Sequence, residues 1–129
     1  MHSAKDRRQH TRYELPVMYT RVMVRPMDSD EFIWEGHAYD ISEGGLRFEL
    51  DRGIEPGTPV AIRIDLASSI TERRHQQRSV FALANVVWIE EDDESGPRRM
   101  AAVFRLFPRA GDQERLMNRL QTGRYAVAA

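Results

Sequence analysis

Apolar and polar residues alternate in six short stretches, and this alternation predicts β-strands. The stretches are rich in Val, Ile, Leu and aromatic residues, and they cover residues 13–25, 32–41, 46–50, 60–66, 78–89 and 100–107. The segments between them are rich in Gly, Pro, Asp and Ser, which favour turns. Six strands at such short spacing predict a small antiparallel β-barrel.

Helical spacing occurs near the C-terminal end of the sequence. Leu116 and Leu120 are four residues apart, so they would lie on one face of a helix. We expect Asp112 to be the N-cap residue, because a carboxylate can accept hydrogen bonds from the first free N–H groups of a helix. Gly123 is the expected end of this helix. The predicted fold class is therefore all-β, a β-barrel with a C-terminal helix.

Residues 1–12 differ from the rest because they are polar and basic and lack apolar periodicity. We interpret them as a flexible basic arm that precedes the barrel. The sequence thus predicts three parts, which are the arm at residues 1–12, the six-stranded barrel at residues 13–110 and the helix at residues 111–123. The helix is expected to pack on the barrel or to extend from it.

Composition agrees with one globular domain. The chain has 129 residues, of which 41% are hydrophobic and 30% are charged, enough apolar material for a core. Cysteine is absent, which excludes disulfide bonds and a cysteine nucleophile. No apolar run approaches the roughly 20 residues that cross a bilayer, and no secretory signal precedes the first strand. We expect a cytoplasmic protein without membrane insertion.

Charge and motif content narrow the class of function. Nineteen basic and twenty acidic residues give a net charge of −1, which argues against a polycationic binder of DNA or RNA. The four histidines lack metal-ligand spacing, so we expect neither a metal nor a cofactor. Neither a nucleophile elbow nor a phosphate-cradling Walker loop is present, so an enzyme is not supported.

Two polar motifs carry the candidate chemistry. Arg8 and Arg12 form an R-x-x-x-R motif, and Asp40, Ser42 and Gly45 form a D-x-S-x-x-G motif between two predicted strands. Arginines four residues apart commonly form a solvated face. An Asp, Ser and Gly turn is commonly only a turn, because these side chains satisfy local backbone donors. Each motif is therefore weak alone.

Together, in this order, the two motifs resemble the signature of the PilZ domain, the bacterial receptor domain for cyclic di-GMP. The apolar stretch at residues 84–88, which ends in Val-Trp, and residues 102–104 are also similar to the later strands of the family. The resemblance covers nearly the whole chain from about residue 7. One departure is Ala102, which stands where glycine is usual in the family.

The resemblance implies a ligand, cyclic di-GMP, and a role for each arginine. Arg8 and Arg12 would clamp guanine and phosphate, and Arg7 would add a phosphate contact. A guanidinium suits this task because it can fork to the O6 and N7 acceptors of guanine, contact phosphate or stack on a base.

The second motif is expected to supply the other contacts. Asp40 would read the N1–H and N2–H donors of guanine, because a carboxylate only accepts. Ser42 would donate to a phosphate oxygen, and Gly45 would hold the turn. Ligand that bridges the arm to this turn would change the conformation of the receptor and relay the signal to an effector protein.

Several interpretations stay open at this point. Family outputs include motility, surface polysaccharide and adhesion control, and a homodimer is compatible with the sequence. One rival is a PilZ-type interaction module that does not bind nucleotide, and another is a small barrel that binds single-stranded RNA. Trp88 could stack on a guanine, but we favour a core position for it at a strand end. Arg73 and Arg74 are expected in an exposed loop.

Overall fold

The structure is a computed structural model, and it describes residues 11–15, 20–65, 79–91 and 96–121. These residues contain seven β-strands and one helix. The strands are β1 (Tyr13–Glu14), β2 (Arg21–Pro26), β3 (Trp34–Ile41), β4 (Gly45–Leu50), β5 (Pro59–Asp65), β6 (Ser79–Ile89) and β7 (Arg98–Leu106), and the helix is α1 (Asp112–Leu120).

Strands β2 to β7 close into a six-stranded antiparallel barrel. The hydrogen-bonded order is β3-β2-β5-β6-β7-β4, and β4 pairs back with β3 to complete the circle. The short strand β1 is additional and pairs with the end of β3. Closure leaves each barrel strand with a partner on both sides. The predicted antiparallel barrel with a C-terminal helix is confirmed.

Alternation along the strands fills the barrel interior. In β6, every second side chain from Val80 to Val86 is buried, and Phe48 of β4 is fully buried opposite Ala38 of β3. Leu116 and Leu120 of α1 are also fully buried. The helix therefore packs its apolar face on the barrel, against β6.

The start of helix α1 differs from the prediction. Gly111, with φ of 85°, is the N-cap residue, and Asp112 is the first helical residue. The Asp112 carboxylate makes no capping bond to its own helix, because it accepts hydrogen bonds from Phe81 N–H at 2.9 Å, Arg109 Nε at 2.7 Å and Arg115 Nη1 at 2.7 Å. The N-cap prediction is wrong, since this carboxylate tethers the helix to β6.

The predicted strand at residues 13–25 is divided into β1 and β2. Leu15 N–H donates to the Tyr39 carbonyl, and Ala38 N–H donates to the Thr20 carbonyl. The chain thus pairs with the same edge of β3 before and after residues 16–19, which lie outside the described residues. Alternation alone does not reveal where such a ladder is interrupted.

The barrel ladders of the described residues contain three register shifts, and two of them affect Asp40 and Trp88. The β3–β4 register shifts between Ala38 and Asp40, and the β6–β7 register shifts between Val86 and Trp88, as it also does between Leu83 and Ala84. A bulge adds one residue to one strand and therefore reverses the alternation beyond it. Asp40 consequently lies opposite the exposed Arg47, on the outer face of the barrel.

The second bulge overturns the expectation for Trp88. Regular alternation from the buried Val86 would place Trp88 in the core, as we expected. With the bulge, Val87 is 51% exposed and Trp88 is 47% exposed. Both side chains therefore face outward, and the core interpretation of Trp88 is wrong.

Other predictions fall on parts of the chain that the structure does not describe. These are the arm at residues 1–10, the Arg73 and Arg74 loop, and the helix end at Gly123. Among the described residues, no helix has both the length and the apolar composition needed to cross a membrane.

Candidate functional site

The turn of the D-x-S-x-x-G motif connects β3 to β4 and is held by three hydrogen bonds. Ser42 N–H donates to the Gly45 carbonyl at 2.8 Å, and Gly44 N–H donates to Ser42 Oγ at 3.1 Å. Phe104 N–H donates to the Gly44 carbonyl at 2.8 Å, which attaches the turn to β7. The turn therefore has a defined position relative to β7.

Gly45 is required by strand packing. A Cβ at this position would lie 2.3 Å from the carbonyl oxygen of Ala102, across the β4–β7 ladder. The φ angle of Gly45 is outside the positive range that favours glycine. The glycine of the motif thus permits the close approach of β4 to β7, next to the turn.

Asp40 is held by an arginine that the sequence reasoning missed. Arg47 lies opposite Asp40 in the β3–β4 hairpin, where its Nε atom donates to Asp40 Oδ2 at 2.8 Å and its Nη2 atom forms an ion pair with the same oxygen at 2.7 Å. The Asp40 side chain is 7% exposed, whereas the Arg47 side chain is 50% exposed. The charge of a nearly buried carboxylate is therefore balanced by a guanidinium that faces solvent. The hairpin register was the signal that could have identified Arg47.

A side-chain cluster fixes the bulge that precedes Asp40. The Tyr39 hydroxyl donates to Glu49, and Arg99 Nε donates to the same hydroxyl at 3.1 Å. The Arg99 guanidinium also lies 4.8 Å from the centroid of the Tyr39 ring. Burial, followed by the hydrogen bond and the charge of Glu49, raises the pKa of Tyr39. The neutral hydroxyl therefore persists as the donor to Glu49.

Arg12, the second arginine of the R-x-x-x-R motif, is placed beside the turn by strand β1. Arg12 immediately precedes β1, in which Tyr13 pairs with Ile41 and Glu14 pairs with Asp40. The antiparallel pairing therefore brings Arg12 to the end of β3, where the turn begins.

These side chains surround a pocket of about 450 Å³ on the outer face of the barrel. Its polar residues are Arg12, Asp40, Ser42 and Arg47, and its other lining residues come from the turn and from strands β4, β6 and β7. The latter are Gly44, Gly45, Leu46, Val87, Ala101, Ala102, Val103 and Phe104. A concave site with an apolar surface and a few converging polar groups is typical of small-molecule binding.

The structure thus brings together four of the six site residues that the sequence predicted. Arg12, Asp40, Ser42 and Gly45 line the pocket, whereas Arg7 and Arg8 lie outside the described residues. That these residues bind a ligand stays a prediction. In the part of the chain that the structure describes, no group of three acidic or histidine side chains is arranged to hold a metal.

A larger cavity, of about 610 Å³, lies at the other end of β3 and β4. Its lining includes Trp34, Arg52, Ile54 and Arg98, and the Arg52 guanidinium lies 5.0 Å from the Trp34 ring centroid. Neither sequence motif contributes to this cavity. By volume alone this cavity would be the stronger candidate for a ligand site. The pocket beside Asp40 is the better candidate, because several polar side chains converge on it.

A closed antiparallel barrel with its two polar motifs at the start of β1 and at the β3–β4 turn defines the class of this protein. The family model described as PilZ domain matches residues 6–121. The chain belongs to the PilZ domain family.

Two solved structures are similar to this chain. MotI/DgrA, the inhibitor of motility of Bacillus subtilis, has a TM-score of 0.64 and 26% sequence identity, and the match covers 88% of this chain and 49% of that one. The present chain therefore spans about half the length of MotI. The PilZ domain of YcgR from Escherichia coli, solved with c-di-GMP, has a TM-score of 0.63 and 17% identity, with 88% of each chain covered. A search of curated protein sequences finds no match.

Proposed function

We propose that this protein is a cytoplasmic receptor that binds cyclic di-GMP in the pocket beside the β3–β4 turn. The observation that carries the proposal is the convergence of Arg12, Asp40 and Ser42, which come from both motifs, on one pocket. Family membership supports the choice of ligand, since the PilZ domain of YcgR, which shares the fold, was solved with c-di-GMP.

The pocket offers complementary groups to guanine. The N1–H and N2–H groups of guanine are donors, and the Asp40 carboxylate is an acceptor that lies near them in this proposal. The Arg12 guanidinium is suited to the O6 and N7 acceptors of guanine or to a phosphate. The apolar side chains of Val87, Ala101 and Val103 supply a surface on which a flat base can rest.

Ser42 is suited to a phosphate contact. Its hydroxyl oxygen already accepts a hydrogen bond from Gly44 N–H at 3.1 Å. Within the turn its hydrogen is donated to the Gly45 carbonyl, which lies at the long distance of 3.5 Å. A phosphate oxygen at normal hydrogen-bond distance would therefore be a better acceptor for this hydroxyl.

Several contacts must act together to give useful affinity. A bidentate arginine–guanine contact contributes about 1–3 kcal/mol, whereas micromolar binding needs about 8 kcal/mol. No single residue reaches this value, so Arg12, Asp40 and Ser42 must act together. We propose that Arg7 and Arg8 add further contacts to the bound ligand.

We further propose that the ligand-bound surface is read by an effector protein. MotI is an inhibitor of motility and is 26% identical to this chain, which favours motility as the controlled process. In this proposal the protein acts as an adaptor and carries out no reaction of its own.

Calorimetry with cyclic di-GMP tests the proposed function. We expect the wild-type protein to bind with micromolar or tighter affinity. Asp40→Ala and Arg12→Ala should each weaken binding by about tenfold or more, because a loss of 1.4 kcal/mol is tenfold in affinity. Asp51→Ala and Arg52→Ala are matched controls at the other end of the barrel and should bind as wild type.

Two results would contradict the proposal. The first is an absence of binding by the wild-type protein, which would favour the interaction module that does not bind nucleotide. The second is unchanged binding by both Asp40→Ala and Arg12→Ala. Thermal unfolding of each variant shows whether it is folded.

A further inference from the structure

We propose that Arg47 is a positioning residue for guanine recognition, because it orients the Asp40 carboxylate and also faces the ligand. This inference rests on the proposed function and deepens it. Arg47 belongs to neither sequence motif and lies two residues beyond Gly45, on β4.

The first argument is the geometry of the ion pair. Both donors of Arg47, Nε and Nη2, contact the same oxygen of Asp40, Oδ2, at 2.8 and 2.7 Å. Two contacts from a planar guanidinium to one oxygen restrict rotation of the carboxylate. Arg47 thereby determines the direction in which Asp40 offers its remaining acceptor sites.

The second argument is the position of the guanidinium. Arg47 lines the pocket together with Arg12, and its side chain is half exposed while that of Asp40 is nearly buried. A guanidinium carries five N–H donors, and the Asp40 contacts occupy about two of them. Because Arg47 lines the pocket, a phosphate or the acceptor edge of a bound base can accept hydrogen bonds from its remaining donors.

Comparison with a second ion pair on the barrel distinguishes this role from a purely structural one. Arg21 and Asp65 form a more exposed pair across β2 and β5, in which Nε and Nη2 of Arg21 donate to Asp65 Oδ2 at 3.0 and 2.9 Å and which Glu35 and Arg63 also join. This pair lines none of the pockets described above. Exposed ion pairs contribute little to stability. The two pairs therefore differ in their relation to the pocket, and Arg21 is a matched control for Arg47.

Oriented acceptor sites matter most for a ligand that presents two donors side by side. Guanine presents N1–H and N2–H together, whereas hypoxanthine retains N1–H and lacks the amino group. A carboxylate with a fixed orientation should therefore prefer cyclic di-GMP to cyclic di-inosine monophosphate. Loss of Arg47 should reduce this preference as well as the affinity.

Calorimetry with both cyclic dinucleotides tests the inference. We expect Arg47→Gln to weaken cyclic di-GMP binding by about tenfold or more and to reduce its preference over cyclic di-inosine monophosphate. Arg47→Lys keeps the positive charge but loses the planar guanidinium. We therefore expect it to bind cyclic di-GMP more tightly than Arg47→Gln does, without regaining the preference over cyclic di-inosine monophosphate. Arg21→Gln should leave both quantities unchanged.

A double-mutant cycle of Arg47 and Asp40 distinguishes a positioning role from a direct charge contact with the ligand. If Arg47 acts mainly through Asp40, Arg47→Gln should weaken binding much less in the Asp40→Asn background than in the wild type, and the loss that remains measures its direct contact with the ligand. Equal weakening for both ligands, with additive effects in the cycle, would overturn the positioning role. Unchanged affinity and preference in Arg47→Gln would overturn it too. If the wild-type protein itself binds neither ligand, the proposed function fails and this inference fails with it.

Discussion

Gly45 shows how one residue can serve both the fold and the site. Its backbone lies in the β4–β7 ladder and lines the pocket, and a methyl group there would meet the backbone oxygen of Ala102 at 2.3 Å. Backbone atoms in a closed barrel cannot move aside without disturbing neighbouring ladder bonds. This position therefore excludes even the smallest side chain for a reason that is independent of any ligand.

We predict that Gly45→Ala destabilises the protein by about 1–3 kcal/mol, the usual cost of overpacking. Gly53→Ala is the matched control, because a Cβ at Gly53 would meet the mobile end of the Ile89 side chain, at 2.4 Å. That side chain can rotate away, so the control should lose less stability. Urea unfolding of both variants measures the difference. Equal stability losses would contradict the explanation from backbone contact.

The residues of the site were only partly predictable from the sequence. Motif spacing identified Arg12, Asp40 and Ser42, because the conformation of a turn and of a single strand depends on residues that are consecutive in the sequence. Arg47 was missed, since its contact with Asp40 depends on the hairpin register. Trp88 was assigned to the core, and the bulge at Val87 reversed its direction. Register shifts leave no periodic trace in a single sequence.

Helix α1 is attached to the barrel by a buried ion cluster as well as by its leucines. The Asp112 side chain is 1% exposed and accepts hydrogen bonds from Arg109, Arg115 and Phe81 N–H. Arg109 and Arg115 also donate to the Ser79 carbonyl at the start of β6. Burial alone would raise the pKa of Asp112, but these hydrogen bonds and the two positive charges outweigh it and lower that pKa below its ordinary value of 3.8.

The lowered pKa gives the stability of the protein a defined pH dependence. A carboxyl group with a depressed folded-state pKa stabilises the protein above its unfolded-state pKa. This contribution is lost as the pH falls below about 4 and through the folded-state pKa. We predict that Asp112→Asn lowers the unfolding free energy at neutral pH by about 2 kcal/mol, because hydrogen bonds to a charged group are lost.

The difference between wild type and Asp112→Asn should shrink as the pH is lowered into the acid range. Urea unfolding at a series of pH values measures this difference, with Asp51→Asn, at an exposed position, as the control. A difference that stays constant or grows toward acid pH would show that the charge of Asp112 does not stabilise the helix attachment.

Elements were easier to predict than their boundaries and contacts. Period-two alternation identified the six barrel strands, and the leucine spacing identified α1. The role of Asp112 was not predictable, because its partner Phe81 lies 31 residues away in the chain. An aspartate can serve either as a helix N-cap or as a tertiary contact to a strand, and only the folded structure distinguishes the two roles.

At the scale of the whole molecule, closure of β4 onto β3 and β7 creates the site. The pocket lies over β4, between the bulge at Tyr39 and the bulge at Val87, so it needs the four neighbouring strands β3, β4, β7 and β6 in register. The cavity at the other end of the barrel has more volume but none of the motif residues. We therefore expect the ligand to bind beside the β3–β4 turn and not in the opposite cavity.

An amide chemical-shift titration of the isotope-labelled protein with cyclic di-GMP shows where the ligand binds. We expect the largest shifts at Gly44, Gly45 and Arg47 and at residues 101–104 of β7. Amides around Trp34 and Ile54, in the opposite cavity, should change little. Shifts concentrated around Trp34 and Ile54, or saturating ligand with no shifts at the β3–β4 turn, would contradict the account.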